Sequence, residues 1–488
     1  MEFISGDNRN QIILLPDSVD DYVDDNNAVR VIDAYINGLD LTELGFAKPE
    51  PNDTGRPMYD PKDLLKLYVY GYMNRIRSSR RLETETKRNL EVIWLLGKLS
   101  PDHKTISRFR HDNTGALKNV FRDFVKLCMK LNLYGKELVA IDGSKFKAVN
   151  SKDRNFGLKK LEERIARIDA KVETYLEELN SNDLNEETTE GGKSAKEITQ
   201  IILELMERKG RYQSYAEELA ETGETQKSLT DPDSRLMMAN GKMDVCFNVQ
   251  TAVDDKNKLI ADFEVTNSVS DKNQLSGMAS RAADILEAPD LVAIADKGYD
   301  SASDIVKCIR AGVEVHVNGT EMDVCIPVDE PGEEITSHSN GRTVYIPERN
   351  IALCPMGKIL YPSHFIKRIR KAAFINRAAC NQCTCKCTIG DAVRFEIDIP
   401  RDKFTKDYDD SGLFVRQIHI KPDSKLVKQR KSIAEHPFGT VKRSMDAGYC
   451  LTKGIPNVSG EFSLAYLAYN MKRVINILGT KKLIEGMV

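Results

Sequence analysis

The segment ELVAIDGSKFKA, residues 137 to 148, opens with an uninterrupted apolar run that stops at Asp142. A second segment, LVAIADKGYDS (291 to 301), stops in the same way at Asp296. Short β-branched runs without polar alternation suit strands buried on both faces of a sheet. An unpaired charge closing such a run is costly, although aspartate also ends strands simply as a turn former. Read together, the two runs predict neighbouring strands whose ends set Asp142 beside Asp296.

Working outward, KMDVCFNVQTAVD (242 to 254) alternates and KLIADFEVTN (258 to 267) follows a tight turn. GVEVHVNG (312 to 319) supplies a fifth strand, and helical windows run from 271 to 288 and from 301 to 310. The order is three strands, helix, strand, helix, strand. It predicts an α/β fold with a ribonuclease-H-like mixed sheet core, in which the first strand lies beside the one that follows the first helix.

The remaining segments divide around that core. Residues 1–130 are expected to form an N-terminal helical DNA-binding domain: DPKDLLKLYVYGYMNRI (60 to 76) starts with Asp60 and Pro61 as helix-start signals, and SPDHKTISRFRHDN (100 to 113) repeats them at Ser100 and Pro101. Segments 131–156 and 229–319 hold the first parts of the catalytic core. Between them, KKLEERIARIDAKVETYLEEL (159 to 179) is apolar at heptad spacing and helical periodicity resumes at 198 to 219, so 157–228 reads as an inserted coiled-coil hairpin, either a spacer or a dimer contact. Residues 320–425 form a Cys-rich insertion, and 426–488 supply the C-terminal helices of the core.

Composition bounds the function classes. Of 488 residues, 41% are apolar and 30% charged, and no long uncharged apolar run suits a membrane span. MEFISGDNRN lacks the order of a secretory signal, so a cytoplasmic, nucleoid-associated location without membrane contact is expected. The net charge of -3 gives no hint of nucleic acid, but residues 421 to 443 hold seven Lys or Arg against two acids. Other basic clusters lie at Arg75 to Arg81 and Lys367 to Lys371. Ten cysteines in such a compartment do not predict a disulfide framework.

A third carboxylate, Glu435 in RKSIAEHPFGTVKR (430 to 443), comes from a predicted helix. Two strand-end aspartates and one helical acid could hold a pair of Mg²⁺ or Mn²⁺ ions against a phosphodiester. Asp244 and Asp300 compete for the aspartate roles, each lying near a strand end. Lys442, seven residues after Glu435, falls on the same face of a regular helix, with Pro437 between them as a source of bending. Candidate phosphate contacts are Arg235, Arg430, Lys431 and Lys442.

The chain resembles the DDE transposases of bacterial insertion sequences, in the branch with an InsH-like N-terminal domain. RPMYDPKDLLKLYVYGY, TISRFR, VAIDGSKFKA, LTDPDSRLM, FNVQTAVD, VTNSVSDKNQL, IADKGYDS, AEHPFGTVKR and AYNMKR carry the resemblance, in family order from about 15 to 478. It implies metal-dependent strand cleavage and strand transfer on double-stranded DNA, at the element's terminal inverted repeats and its target. Asp142, Asp296 and Glu435 would be the metal ligands, and a homodimer or higher oligomer would assemble on the DNA. In the wider superfamily a tyrosine and an arginine precede the last acid; here Lys428 and Lys431 stand in those places. Cys354, Cys380, Cys383 and Cys387 resemble a zinc-ribbon-like segment, with Cys385 spare and reduced or redox-active thiols as the alternative. The competing function is a catalytically silent, transposase-derived DNA-binding protein.

Overall fold

The structure is a computed structural model and describes residues 18–46, 58–184, 195–239, 241–332, 335–338, 340–385, 387 and 392–487. Up to residue 130 it is helical: α1 (Ala28–Gly38), α2 (Pro61–Met73), α3 (Ser79–Arg88), α4 (Leu90–Leu95), α5 (His103–Asp112) and α6 (Thr114–Lys130). Asp60 caps α2 as expected, accepting from the Lys62 amide at 2.8 Å, with Pro61 in the first turn. For α5 the cap is Asp102 rather than Ser100, because its carboxylate reaches the amides of Lys104 and Thr105. Buried Tyr68, Tyr72, Phe121 and Phe124 fill the space between these helices.

The strand β1 (Leu138–Lys147) runs past Asp142 through Gly143 and Lys145. Next come β2 (Asn155–Gly157), the long helices α7 (Leu158–Leu184) and α8 (Ala195–Thr222), and β3 (Gln226–Ser228). The β2 and β3 strands pair antiparallel and close the base of this hairpin, where Phe156, Leu161 and Leu219 form a small core of their own. Then follow β4 (Arg235–Ala239), β5 (Lys242–Asp254), β6 (Ile260–Thr266), α9 (Leu275–Leu286), β7 (Val292–Ala295), α10 (Ala302–Arg310) and β8 (Glu314–Val317).

These strands make a six-stranded mixed sheet in the order β4-β5-β1-β7-β8, with β6 also paired to β5. The β1 strand is antiparallel to β5 and parallel to β7, and β7 is parallel to β8. Expected neighbours are therefore neighbours. The β4 edge had no signal of its own in the sequence, since RLMMA is one short run beside a turn.

Residues 320–425, expected as a Cys-rich insertion, hold more regular structure than their Pro and Gly content suggests. They contain β9 (Met322–Val328), β10 (Gly341–Arg342), β11 (Val344–Ile346), β12 (Ile351–Leu353), β13 (Ile359–Ile366), β14 (Lys371–Ile375), the short α11 (Arg377–Asn381), β15 (Arg394–Ile397) and β16 (Phe414–Ile420). Strands β11 to β15 pair in sequence as a five-stranded sheet, and β9 sits between β10 and β16 in another. The chain ends in α12 (Ser424–Gly439), a π-helical turn Thr440–Ser444, α13 (Ile455–Leu478) and α14 (Thr480–Glu485). Among the described residues no helix is long and apolar enough to cross a membrane.

Candidate active site

The parallel register of β1 and β7 runs Leu138↔Val292, Val139↔Ala293, Ala140↔Ile294. Continued two residues further, it sets Asp142 opposite Asp296. Asp296 has just left its strand and caps the 3-10 turn Lys297–Tyr299, accepting from the Gly298 amide at 2.8 Å. Asp142 Oδ1 accepts from the Gly143 amide at 3.0 Å, and its Oδ2 accepts from Arg430 Nη1 at 2.9 Å. Arg430 reaches inward from α12, which packs across β1, β5 and β7. Both members of this ion pair are only 17% exposed.

Burial raises the Asp142 carboxyl to about 6; Arg430 opposes that rise, and the charges of Asp296 and Asp271 add to it. Asp142, poorly solvated and close to two other carboxylates, thus takes a cation from the chain itself. Asp271, in the VTNSVSDKNQL segment but not among the expected site residues, lies against the same strand. Its Oδ1 accepts from Lys145 Nζ at 2.9 Å, Asn248 Nδ2 at 2.7 Å and Gln250 Nε2 at 2.9 Å. There is room for it because residue 143 is glycine: a Cβ there would stand 2.6 Å from Asp271 Oδ1 and would also strike Gln250. The Tyr299 hydroxyl donates to Gln250 Oε1, so the turn capped by Asp296 is tied to β5.

The other expected site residues are distributed as follows. Glu435 is exposed on α12, whose buried face is Ile433, Ala434, Pro437 and Phe438. Lys431 is exposed as well. Lys442 points into the fold, with Nζ on Ser144 Oγ at 2.5 Å and on the Lys145 carbonyl at 3.0 Å, over the Phe146 ring. Burial holds its ammonium below the usual lysine range. Glu435 and Lys442 therefore do not share a face. Pro437 and the π-helical turn that follows change the phase that a regular helix would keep.

Arg235 is not a surface cation: it is buried, with its guanidinium on Glu224 at 2.5 Å and on the carbonyls of Pro232 and Ser234. A phosphate contact there would have to break these bonds. Asp300 pairs with Arg342, and Asp244 with Lys147 at 3.6 Å, so neither competitor joins Asp142.

The cysteines gather at the end of the five-stranded sheet. The amide of Lys358 donates to Cys354 Sγ at 3.3 Å and that of Val393 to Cys380 Sγ at 3.4 Å. The Cys383 and Cys387 thiols both donate to the Cys385 carbonyl, and His338 Nε2 lies 3.2 Å from Cys387 Sγ. Burial, with the neighbouring thiols adding to it, lifts Cys387 to about 11. Sequence spacing could not have found His338, which arrives from another loop. Among the described residues no three His, Cys, Asp or Glu side chains stand as a finished metal cage. The donor chemistry nevertheless fits: hard carboxylate oxygens at Asp142 and Asp296, with Arg430 supplying the balancing positive charge, and soft thiols at the cysteines.

Family comparison gives two matches. Residues 17–112 match a transposase domain of the DUF772 type, and residues 353–475 match a transposase DDE domain. The chain belongs to the insertion-sequence DDE transposases. No curated protein matches this transposase. A cryo-EM structure of a piggyBac transposase synaptic complex with hairpin DNA aligns over 95% of this chain and 79% of that one, at 8% identity and a TM-score of 0.28. A likeness at that score carries no argument. The second family match spans the cysteines, α12 and most of α13, but not Asp142 or Asp296.

Proposed function

We propose that the chain catalyses divalent-metal-dependent DNA strand cleavage and strand transfer at the terminal inverted repeats of an insertion sequence. The observation that carries this reading is the parallel β1–β7 register, which ends at Ala140↔Ile294 and whose continuation would bring Asp142 and Asp296 side by side, with Arg430 as counter-cation on Asp142. Asp142 and Asp296 would hold Mg²⁺ or Mn²⁺. When bound, such an ion lowers the pKa of an attacking water or 3′-hydroxyl and neutralises charge on the phosphate. The chain's own part is to hold the two carboxylates in register, to keep Asp142 poorly solvated, and to present cations to the phosphodiester.

Glu435 is proposed as the third ligand, on its place in the motif. It and Arg430 ride on one helix, so exchanging one for the other at Asp142 would be a movement of α12. The strand arrangement β6-β5-β1-β7-β8, antiparallel on one side of β1 and parallel on the other, supports a ribonuclease-H-like core. The cysteine group is proposed to hold structural Zn²⁺, with His338 as an added candidate donor. Double-stranded DNA would be the partner, and a homodimer or larger assembly the working unit.

The test is cleavage of a duplex carrying the element's ends, with Mg²⁺ or Mn²⁺. Asp142→Asn, Asp296→Asn and Glu435→Gln should each lower the rate by about 10³-fold or more, the scale of losing a group that acts on the transition state. Binding to the same duplex should persist. Unchanged cutting by the aspartate variants sinks the assignment, and no cutting by the parent chain favours the silent DNA-binding alternative.

A further inference from the structure

The register of β1 against β5 pairs Gly143 with Gln250 and Lys145 with Asn248. Side chains alternate along a strand and paired residues share a face, so these residues look one way while Asp142 and Ser144 look the other. Arg430 of α12 and Lys442 of the turn after it lie on the second face, against Asp142 and Ser144. Helix α9 packs on β1 and β5, and Asp271, just ahead of it, reaches Lys145 on the first face. Asp271 therefore meets β1 from behind Asp142. It holds the strand rather than facing whatever Asp142 binds.

Three donors converge on one of its oxygens, since Lys145 Nζ, Asn248 Nδ2 and Gln250 Nε2 all reach Asp271 Oδ1. Asn248 and Gln250 are fully buried. The Gln250 amide is used at both ends: its nitrogen donates to Asp271 and its oxygen accepts from the Tyr299 hydroxyl. A side-chain amide has one donor end and one acceptor end, so the carboxylate dictates which end Tyr299 meets. Tyr299 closes the turn that Asp296 caps, and it is fully buried. Burial, and then the charges of Asp271, Asp142 and Asp296, hold its phenol well above the ordinary tyrosine range, so it stays a donor. Close approach on this side depends on a second glycine: a Cβ on Gly298 would stand 2.9 Å from Asp296 Oδ1 and 3.7 Å from Asp271 Oδ2. Asp271 is itself fixed, for its carbonyl accepts from the Gln274 amide at 3.2 Å and buried Asp304 accepts from the Leu275 amide at 2.9 Å.

From this geometry we infer that Asp271 is a positioning residue that sets the spacing of Asp142 and Asp296. Through Lys145 it fixes β1 behind the first aspartate, and through Gln250 and Tyr299 it fixes the turn that carries the second. The inference rests on the proposed function and deepens it, because the spacing matters to chemistry only if the two aspartates hold an ion. Removing a group that orients metal-binding side chains typically costs about 10- to 100-fold in metal affinity.

The test is Mn²⁺ binding by the full chain, followed by the electron paramagnetic resonance signal of the free ion, with thermal unfolding of each variant as the control for folding. Asp271→Ala should weaken Mn²⁺ binding by about ten-fold or more. Asp271→Asn keeps an oxygen for the three donors and should recover most of that loss, which a residue touching the ion would not do. Tyr299→Phe removes only the far end of the path and should weaken binding too. Combined with Asp271→Ala it should add nothing, because both changes break one path. Parent affinity in Asp271→Ala, losses that multiply in the double variant, or an asparagine variant as weak as the alanine one each overturn the inference. Should Asp271→Ala not fold, Tyr299→Phe decides, and parent affinity there overturns the inference equally. Asp142→Asn keeps the two readings apart: loss of Mn²⁺ in that variant beside parent affinity in Asp271→Ala sinks the positioning role alone. Mn²⁺ binding that ignores both Asp142→Asn and Asp296→Asn sinks the carboxylate assignment and the inference with it.

Discussion

Asp142 is a titratable group held against its preference. Its carboxyl sits near 6 in the fold against an ordinary 3.8. Between those values the folded chain binds more protons than the unfolded one, so this residue's contribution to stability declines as pH rises through the window. About two pKa units, a net shift that already includes Arg430's opposing charge, correspond to roughly 3 kcal/mol at most. In chelator, the stability of Asp142→Asn relative to the parent should therefore shift in the variant's favour between pH 4 and pH 7, and level off above. Thermal unfolding of both proteins across that range checks it; a pH-independent difference contradicts it. Both aspartates were legible in the sequence because each stops an apolar run, although β1 carries on past Asp142 to Lys147 and only Asp296 stands beyond its strand. Asp271 was not, because three donors from two strands define it and its own neighbours are polar loop residues.

At the scale of elements, α12 shows where periodicity stops being informative. The seven-residue spacing from Glu435 to Lys442 assumes an unbroken helix. A proline followed by a five-residue π turn leaves the acid outside and the lysine inside. The five-stranded sheet was illegible for another reason: its shortest strands have three residues, too few for alternation to register. At its end the thiols lie beside a small apolar core of Leu360, Ala372 and Phe374, and backbone amides already face two of the sulfurs. Protein purified without chelator should carry about one Zn²⁺ per chain, the stoichiometry of a four-ligand site. Cys380→Ser with Cys383→Ser should release it and expose the β13 to β15 region to protease, while Mn²⁺ binding at the aspartates persists. Metal-free protein of parent stability would leave the cysteines as plain reduced thiols.

Across the whole molecule, the helical hairpin is an attachment rather than a support. Its base is closed by β2 and β3, and Phe156, Leu161 and Leu219 pack in a cluster apart from the main core. Replacing residues 162–218 by a short Gly-rich turn should leave the thermal transition of the remainder within a few degrees of the parent. Collapse of the whole fold on that deletion would show the hairpin to be part of the core. The alternating sheet order was readable once the hairpin was set aside. Residues up to 130 were expected to be helical, but individual helix starts were readable only where a cap and a proline marked them; α6 opens at Thr114 without a side-chain cap.

The pairing of Lys147 with Cys246 places the entire hairpin between two residues that touch. Joining the ends of so long a loop carries an entropic penalty that grows with its length, and pairings distant in sequence slow folding. A hairpin of adjacent helices, by contrast, makes its contacts locally. Once α7 and α8 meet, β2 and β3 bring residues 155 and 228 together, and the gap that β1 and β5 must close shrinks to the stretches 147–155 on one side and 228–246 on the other. Loop closure therefore favours an order of assembly in which the appendage folds before the centre of the sheet, and with it Asp142, takes shape.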